Sequence, residues 1–292
     1  MPKNVILQPE VFLVMKRLLQ VLVVVMMVAV HPVCAQKIGV SLAGGAALGY
    51  AHLGFLKAMD EAGIKPDCIV GTSMGAIVGM LYAAGYSPEE ILQFIKDEKM
   101  DRLTGIVIFG QHRTGGLIST DHIQKVLLKY VPHNNFDSLK YRFYCCSFNV
   151  DSLRPVYKGE GDGLVKYVMA SSAIPMVFSP VWIDNNPYVD GGIYDNMPIQ
   201  PLLDEKCDVR IGSLLLLEKP QSKRDIFSLW VRSVVCGPFM TSFLNVEQFT
   251  DVVMVDPEEY WLFDFNYVDE LFQIGYEAGK EYFSTYYIGP RQ

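Results

Sequence analysis

The chain has 292 residues, a formal net charge of −7, and is 50% hydrophobic and 20% charged. That apolar fraction fills a real core, which excludes a disordered tail and a staple-dependent mini-protein. The acidic balance argues against a phosphate-backbone binder, so no nucleic-acid partner is expected. No apolar run reaches the roughly 18 residues that would suggest a multispan membrane protein.

The first segment reads as an address. Lys16 and Arg17 precede an apolar stretch from Leu18 to Val30, followed by Val33-Cys34-Ala35-Gln36. A basic start, a short apolar region and a small-residue cleavage site at Ala35 predict a secretory signal over residues 1–35, with an uncleaved anchor as the alternative. The protein is therefore expected to be exported, to a periplasm, an outer membrane or the medium if its host is bacterial. Residues 36–292 are expected to form one domain.

From Lys37 the pattern alternates. Ile38-Gly39-Val40-Ser41-Leu42 suits a buried parallel strand, and Ala43 to Gly49 is a small-residue loop. A helix is predicted from Ala51 to Ala62, with Leu53, Leu56 and Met59 on one face and Gly63 ending it. Cys68-Ile69-Val70 is a second strand and Met74 to Ala84 a second helix. Ser87-Pro88-Glu89-Glu90 opens a third helix with a capping box. Further strands are predicted at 141–149, 210–217 and 251–255, and a last helix at about 269–282. The aromatic stretch from Phe227 to Leu244 reads as a core helix or a lipid-contacting cap. Strands alternating with helices predict an α/β fold, a mostly parallel sheet covered on both faces.

The cysteines show no repeated spacing, so neither a disulfide framework nor a zinc site is predicted. Nothing calls for a metal or a cofactor. The loop Gly44–Gly49 lacks the Gly-Lys-Ser/Thr ending of a nucleotide loop.

Chemistry gathers at Gly71-Thr72-Ser73-Met74-Gly75, a G-x-S-x-G between a buried strand and a helix. A sharp turn there lifts the serine hydroxyl clear of the sheet, Gly71 and Gly75 permit the tight backbone, and the helix N-terminus faces developing negative charge. Ser73 is the candidate nucleophile. All five histidines (31, 52, 112, 122 and 133) precede residue 134, so a triad ordered serine, acid, late histidine is excluded. His52 reads as a packing residue. Asp190, in Tyr188-Val189-Asp190-Gly191-Gly192, is the candidate base, although Asp-Gly is by itself a common turn.

With Ala170-Ser171-Ser172-Ala173-Ile174-Pro175 before it and Asn196-Met197-Pro198 after it, this text resembles the patatin-like phospholipase family, over roughly Lys37 to Asp204. The resemblance rests on four blocks in order: the glycine-rich loop and helix, the serine turn, Ala-Ser-x-Ala-Ile-Pro, and Asp-Gly-Gly. It implies a three-layer α/β/α fold and a Ser73–Asp190 dyad that cleaves fatty-acyl esters of lipids through an acyl-enzyme. It also implies an oxyanion hole of backbone amides at Gly44, Gly45 and Ala46, with Gly191 and Gly192 completing the Asp-Gly-Gly block. The expected partner is a lipid or acyl-ester substrate, met at least transiently at a membrane surface. The dyad base is expected to have its proton affinity raised by burial near the acyl pocket.

The loop departs from the family's Gly-Gly-Gly-x-Arg/Lys-Gly, reading Gly44-Gly45-Ala46-Ala47-Leu48-Gly49. Ala46 is harmless only where its φ is negative. Leu48 removes a basic side chain, so Leu48→Arg is expected to favour phospholipids over neutral esters. Both departures motivate an alternative, a catalytically impaired lipid-binding or interaction protein on the same fold.

Overall fold

In the computed structural model, residues 36–100, 121–175, 177–216, 245–257 and 260–287 are described, with isolated positions at 16, 17, 20, 229, 233, 237 and 239–243. The chain divides into two compact units, Met1–Ala35 and Gln36–Gln292. The reading of a signal and its cleavage site falls outside the described residues, as do His31, His112 and most of the Phe227–Leu244 stretch.

The second unit is built on a sheet. In chain order its elements are β1 (Ile38–Leu42), α1 (Ala51–Glu61), β2 (Cys68–Thr72), α2 (Met74–Ala83), α3 (Pro88–Asp97), α4 (Asp121–Tyr130), β3 (Arg142–Asn149), β4 (Arg154–Lys158), α5 (Leu164–Ser171), β5 (Val181–Ile183), β6 (Asn186–Asp190), α6 (Gln200–Asp204), β7 (Val209–Leu215), β8 (Asp251–Val255) and α7 (Val268–Glu281). The sheet runs β5-β6-β3-β2-β1-β7-β8, with β4 also paired to β3. β3, β2, β1, β7 and β8 are parallel, while β4, β5 and β6 pair antiparallel. The mixed α/β architecture with a mostly parallel sheet is as expected. The antiparallel end is the difference: its outermost strand, β5, has three residues and carries the exposed Trp182, which suits an edge rather than a buried centre.

The buried strands follow from their sequence. β1 and β2 are buried at every residue, as strands covered on both faces must be. Helix α1 buries Leu53, Leu56 and Met59 completely. It ends in a Schellman motif: Gly63 takes φ 73°, and the amides of Gly63 and Ile64 reach back to Asp60 and Met59 at 3.0 and 3.1 Å. The capping box of α3 forms, Ser87 and Glu90 each binding the other's backbone amide. Helices α1 and α7 pack backbone to backbone. A Cβ on Gly54 would lie 1.9 Å from the Phe272 carbonyl, and one on Gly275 would lie 1.8 Å from that of Ala51. This clamps α1, and the loop that feeds it, against the end of the chain.

Cys68, Cys145, Cys146 and Cys207 are buried free thiols. Cys145 and Cys146, adjacent on β3, are both fully buried because the sheet is covered on each face.

Candidate active site

Ser73 caps α2 with φ 55° and ψ −124°, a conformation a non-glycine residue holds only when its surroundings impose it. The imposing contacts are visible. A Cβ on Gly71 would meet the Gly75 carbonyl at 2.4 Å, and one on Gly75 would meet the carbonyls of Leu42 and Ala43 at 2.3 and 2.7 Å. The turn therefore closes onto itself and onto the end of β1. Its amide is anchored too: Ser73 N–H donates to Ser171 Oγ at 2.9 Å, and that hydroxyl donates to the Cys146 carbonyl.

Asp190 ends β6, opposite Ser147 of β3. Its carboxylate accepts the Gly192 amide at 2.8 Å, and Ser73 lines the same cleft. Burial raises its pKa to about 7 from the usual carboxylate value, and the neighbouring Ser73 hydroxyl and Gly192 amide only partly oppose the rise. Gly191 opens a short 3-10 turn after it.

The small-residue loop is not irregular throughout, because Ala46–Tyr50 forms a 3-10 turn. Gly44, Gly45, Ala46, Ser73, Asp190 and Gly192 line one cleft of about 50 Å³. The three loop amides are not equivalent. That of Gly44 donates to the Asn196 carbonyl at 3.0 Å, whereas those of Gly45 and Ala46 carry no bond to another described residue. Ala46 sits at φ 47°, the left-handed region that glycine adopts freely. Alanine there is strained by about 1–2 kcal/mol.

An apolar pocket adjoins the cleft. Ala46, Ser73, Ile174 and Phe263 line both, and Met74, Ile77, Met169, Phe178 and Phe265 extend its wall. Part of that wall comes from the aromatic run Trp261 to Phe265, which no sequence motif marks. Its only signal is four apolar residues in five positions. Asn196 and Ser171 belong to the family-like motifs, and the structure gives each a bonding role, Ser171 to the Ser73 amide and Asn196 to Gly44.

Leu48 corrects an expectation. It is 1% exposed, in the main core, and does not line the cleft, so its side chain cannot meet a head group. His52 is fully buried, Nδ1 lying 2.9 Å from Ser213 Oγ and Nε2 2.8 Å from the Ala43 carbonyl. A carbonyl only accepts, so Nε2 carries the proton and Nδ1 accepts from Ser213. Burial lowers the pKa of His52 to about 4. No histidine lines the cleft among the described residues.

A family model described as patatin-like phospholipase matches residues 40–203. Among curated proteins, Lysophospholipase nte1 of Aspergillus terreus is 29% identical over 85% of this chain and 18% of its own length. Lysophospholipase nte1 of Aspergillus fumigatus is 27% identical with the same coverage. The chain thus spans about a fifth of the length of these curated relatives. Among solved structures, VipD from Legionella pneumophila superposes with a TM-score of 0.52 at 13% identity, covering 86% of this chain and 67% of that one. The expectation of an exported, envelope or secreted protein is corrected here: the proteins that match most of this chain are described as fungal lysophospholipases, not as exported hydrolases.

Proposed function

Because the chain belongs to the patatin-like phospholipase family, a family of lipid ester hydrolases, we propose that it is a serine acyl hydrolase working through Ser73 and Asp190 alone. The observation that carries the reading is the cleft that Ser73 shares with the buried Asp190, whose pKa lies near 7. An ordinary carboxylate is a poor base for a serine hydroxyl, and burial narrows that gap.

In the proposed cycle Asp190 takes the Ser73 proton as Oγ attacks the ester carbonyl. The amides of Gly45 and Ala46 receive the oxyanion, since the Gly44 amide is already committed to Asn196. The alcohol leaves with the proton from Asp190, and the acyl group stays on Ser73 with its chain in the apolar pocket. Asp190 then deprotonates water, which attacks the acyl-enzyme, and Ser73 recovers its proton as the fatty acid departs. The relatives' description as lysophospholipases supports substrates with a single acyl chain, and a membrane or micelle surface is where such substrates are met.

The rival, a lipid-binding protein without turnover, draws on the strain at Ala46. A fluorophosphonate probe separates the two. The wild-type protein should be labelled and Ser73→Ala should not, with both hydrolysis and labelling lost together. Hydrolysis that persists in a folded Ser73→Ala protein would overturn the assignment.

A further inference from the structure

We propose that the tips of two neighbouring β-hairpins are the surface on which this protein settles onto a zwitterionic lipid interface, with Leu153 and Trp182 entering it. The choice of a lipid partner rests on the acyl-hydrolase reading of Ser73. Both hairpins reach past the end of the parallel strands where Ser73 sits. Thr72, the residue before Ser73, pairs with Cys146. Beyond it β3 continues along β6, with Ser147 facing Asp190 and Asn149 facing Tyr188, so Asn149 stands roughly 10 Å past Cys146. The turn from β3 to β4 follows there. The turn from β5 to β6 lies at the same end, since Ile183 pairs with Asn186. The Val150 amide donates to the Pro187 carbonyl at 3.0 Å, and Pro187 pairs with Trp182, which places Val150 and Trp182 in one cross-strand row.

Four of the nine exposed large hydrophobic side chains among the described residues gather here: Val150, Leu153 (72% exposed), Trp182 (61%) and Tyr194. Tyr194 stacks on Phe148 of β3 and follows Ile193, which lines the cleft with Ser73. The patch therefore runs from the cleft to the tips. The tips are held in shape. Asn149 Oδ1 accepts the amides of Asp151 and Ser152, both at 3.0 Å, and Asp184 and Asn185 take φ 48° and 63° in the two-residue turn of a tight hairpin. Leu153 itself holds φ 54°. A leucine in left-handed backbone with its side chain in water costs the described fold strain and buries nothing in return.

Charge selects the partner. The ionisable residues at the tips are Asp151, Arg154 and Asp184, two acids against one base, in a chain of formal charge −7. Such a tip is repelled by an anionic lipid surface and is compatible with a zwitterionic one, where apolar insertion supplies the attraction. Tryptophan suits that boundary because its ring is apolar and its N–H polar.

The test measures partition of the full chain carrying Ser73→Ala, in which no turnover alters the lipid, onto phosphatidylcholine vesicles. Leu153→Ser and Trp182→Ser should each weaken binding about 5- to 30-fold, the range for returning one partly inserted large apolar side chain to water. Phosphatidylcholine with brominated acyl chains should quench the tryptophan emission of the parent protein, and quench that of Trp182→Phe less. With Ser73 intact, the two serine substitutions should lower hydrolysis of lipid in vesicles by a similar factor and leave kcat/KM on a soluble short-chain ester within about twofold. Absence of binding to phosphatidylcholine, or binding that neither substitution weakens, would overturn the inference. So would binding that appears only when phosphatidylserine is added, or self-association in buffer that Leu153→Ser abolishes. Vesicle binding weakened by both substitutions, with no hydrolysis of any ester by the Ser73 protein, would remove the acyl-hydrolase reading and leave the lipid surface standing.

Discussion

Gly44 and Asn196 bond to each other twice: the Gly44 amide donates to the Asn196 carbonyl at 3.0 Å, and the Asn196 side-chain amide donates to the Gly44 carbonyl at 3.3 Å. Gly44 begins the loop proposed to hold the oxyanion, and Asn196 closes the segment that starts at the proposed base. The pair therefore fixes donor and base relative to one another, with Ser73 between them. A Cβ on Gly44 would lie 2.5 Å from Asn196 Oδ1 and 3.1 Å from the Ser73 Cβ, so the three residues pack too closely for any side chain at 44.

Replacing Asn196 with alanine removes one of these bonds and leaves the backbone one. The loop then loses part of its alignment while the sheet is untouched. We expect kcat to fall roughly 10- to 100-fold with a smaller change in KM, as misplacement of catalytic groups by about 1 Å produces. Steady-state kinetics with a thermal melt of the same preparation checks this. An equal fall in stability and rate would assign Asn196 a purely structural role.

Ser73 and Asp190 are proposed to act as one unit, so their losses should not add. Ser73→Ala, Asp190→Asn and the double variant should retain similar residual rates. Replacing His122 or His133, both exposed, should leave activity within about twofold of the wild type, the scale of surface substitutions. Rates of the variants on one soluble ester decide the matter, and a double variant far below both singles would show that the two side chains work independently.

Much of this was legible in the sequence because it depends on local backbone rules. The serine turn between a buried strand and a helix, the capping box at Ser87 and the C-terminal glycine of α1 are each written in a few consecutive residues. The absence of a late histidine excluded one order of triad, and Asp190 as the base was implied by the resemblance of its flanking segments to the family. What was not legible depends on partners far apart in the chain. Gly44 meets Asn196 across more than 150 residues, and nothing near Gly44 says that its amide is consumed there. The φ of Ala46 and the burial of Leu48 are likewise set by tertiary packing. A family pattern places a basic residue at 48, but only the structure shows that this side chain turns into the core.

Leu48→Arg is accordingly expected to damage the fold and not to tune substrate preference. A guanidinium at a position 1% exposed, inside the main apolar core, would give up its hydration. We expect a loss of at least about 3 kcal/mol, the scale for an uncompensated buried charge, read from chemical denaturation. A stable variant with raised activity on phospholipids would restore the original expectation.

Ala46→Gly should do the opposite. Relief of left-handed strain, about 1–2 kcal/mol, is partly offset by the greater chain entropy of glycine, about 0.5–1 kcal/mol. A net stabilisation of about 0.5–1 kcal/mol is expected, with hydrolysis unchanged or faster because the amide at 46 keeps its direction. Ala46→Val places a β-branched residue at positive φ and should lower both stability and rate. Denaturant midpoints and kcat/KM for the pair of variants test the assignment.

Asp190 and the fully buried His52 make opposite contributions to stability in weak acid. Asp190 has its pKa raised from 3.8 to about 7, so between these values the folded chain holds a proton that the unfolded chain releases. Its contribution therefore falls as pH rises through that window, by up to about 4 kcal/mol. His52 has its pKa lowered from 6.5 to about 4. Here the unfolded chain takes up the proton first, so stability falls as pH drops from 6.5 to 4, by up to about 3 kcal/mol. In the wild type the two slopes largely cancel between pH 4 and 6.5. Asp190→Asn removes the first, and the variant should melt above the wild type at pH 8 but lose stability steeply on acidification. His52→Gln keeps a donor for the Ala43 carbonyl and removes the second, so that variant should gain stability as pH falls to 4. Activity follows only Asp190, because its ionised form is the base, and kcat/KM should rise with pH to a plateau with a midpoint near 7 in both the wild type and His52→Gln. Melting temperatures at half-unit pH steps, with rate profiles on the same buffers, resolve the two groups. A wild type and an Asp190→Asn variant with parallel stability profiles would show that this carboxyl is ionised throughout, and would remove the basis for its role as a base matched to neutral pH.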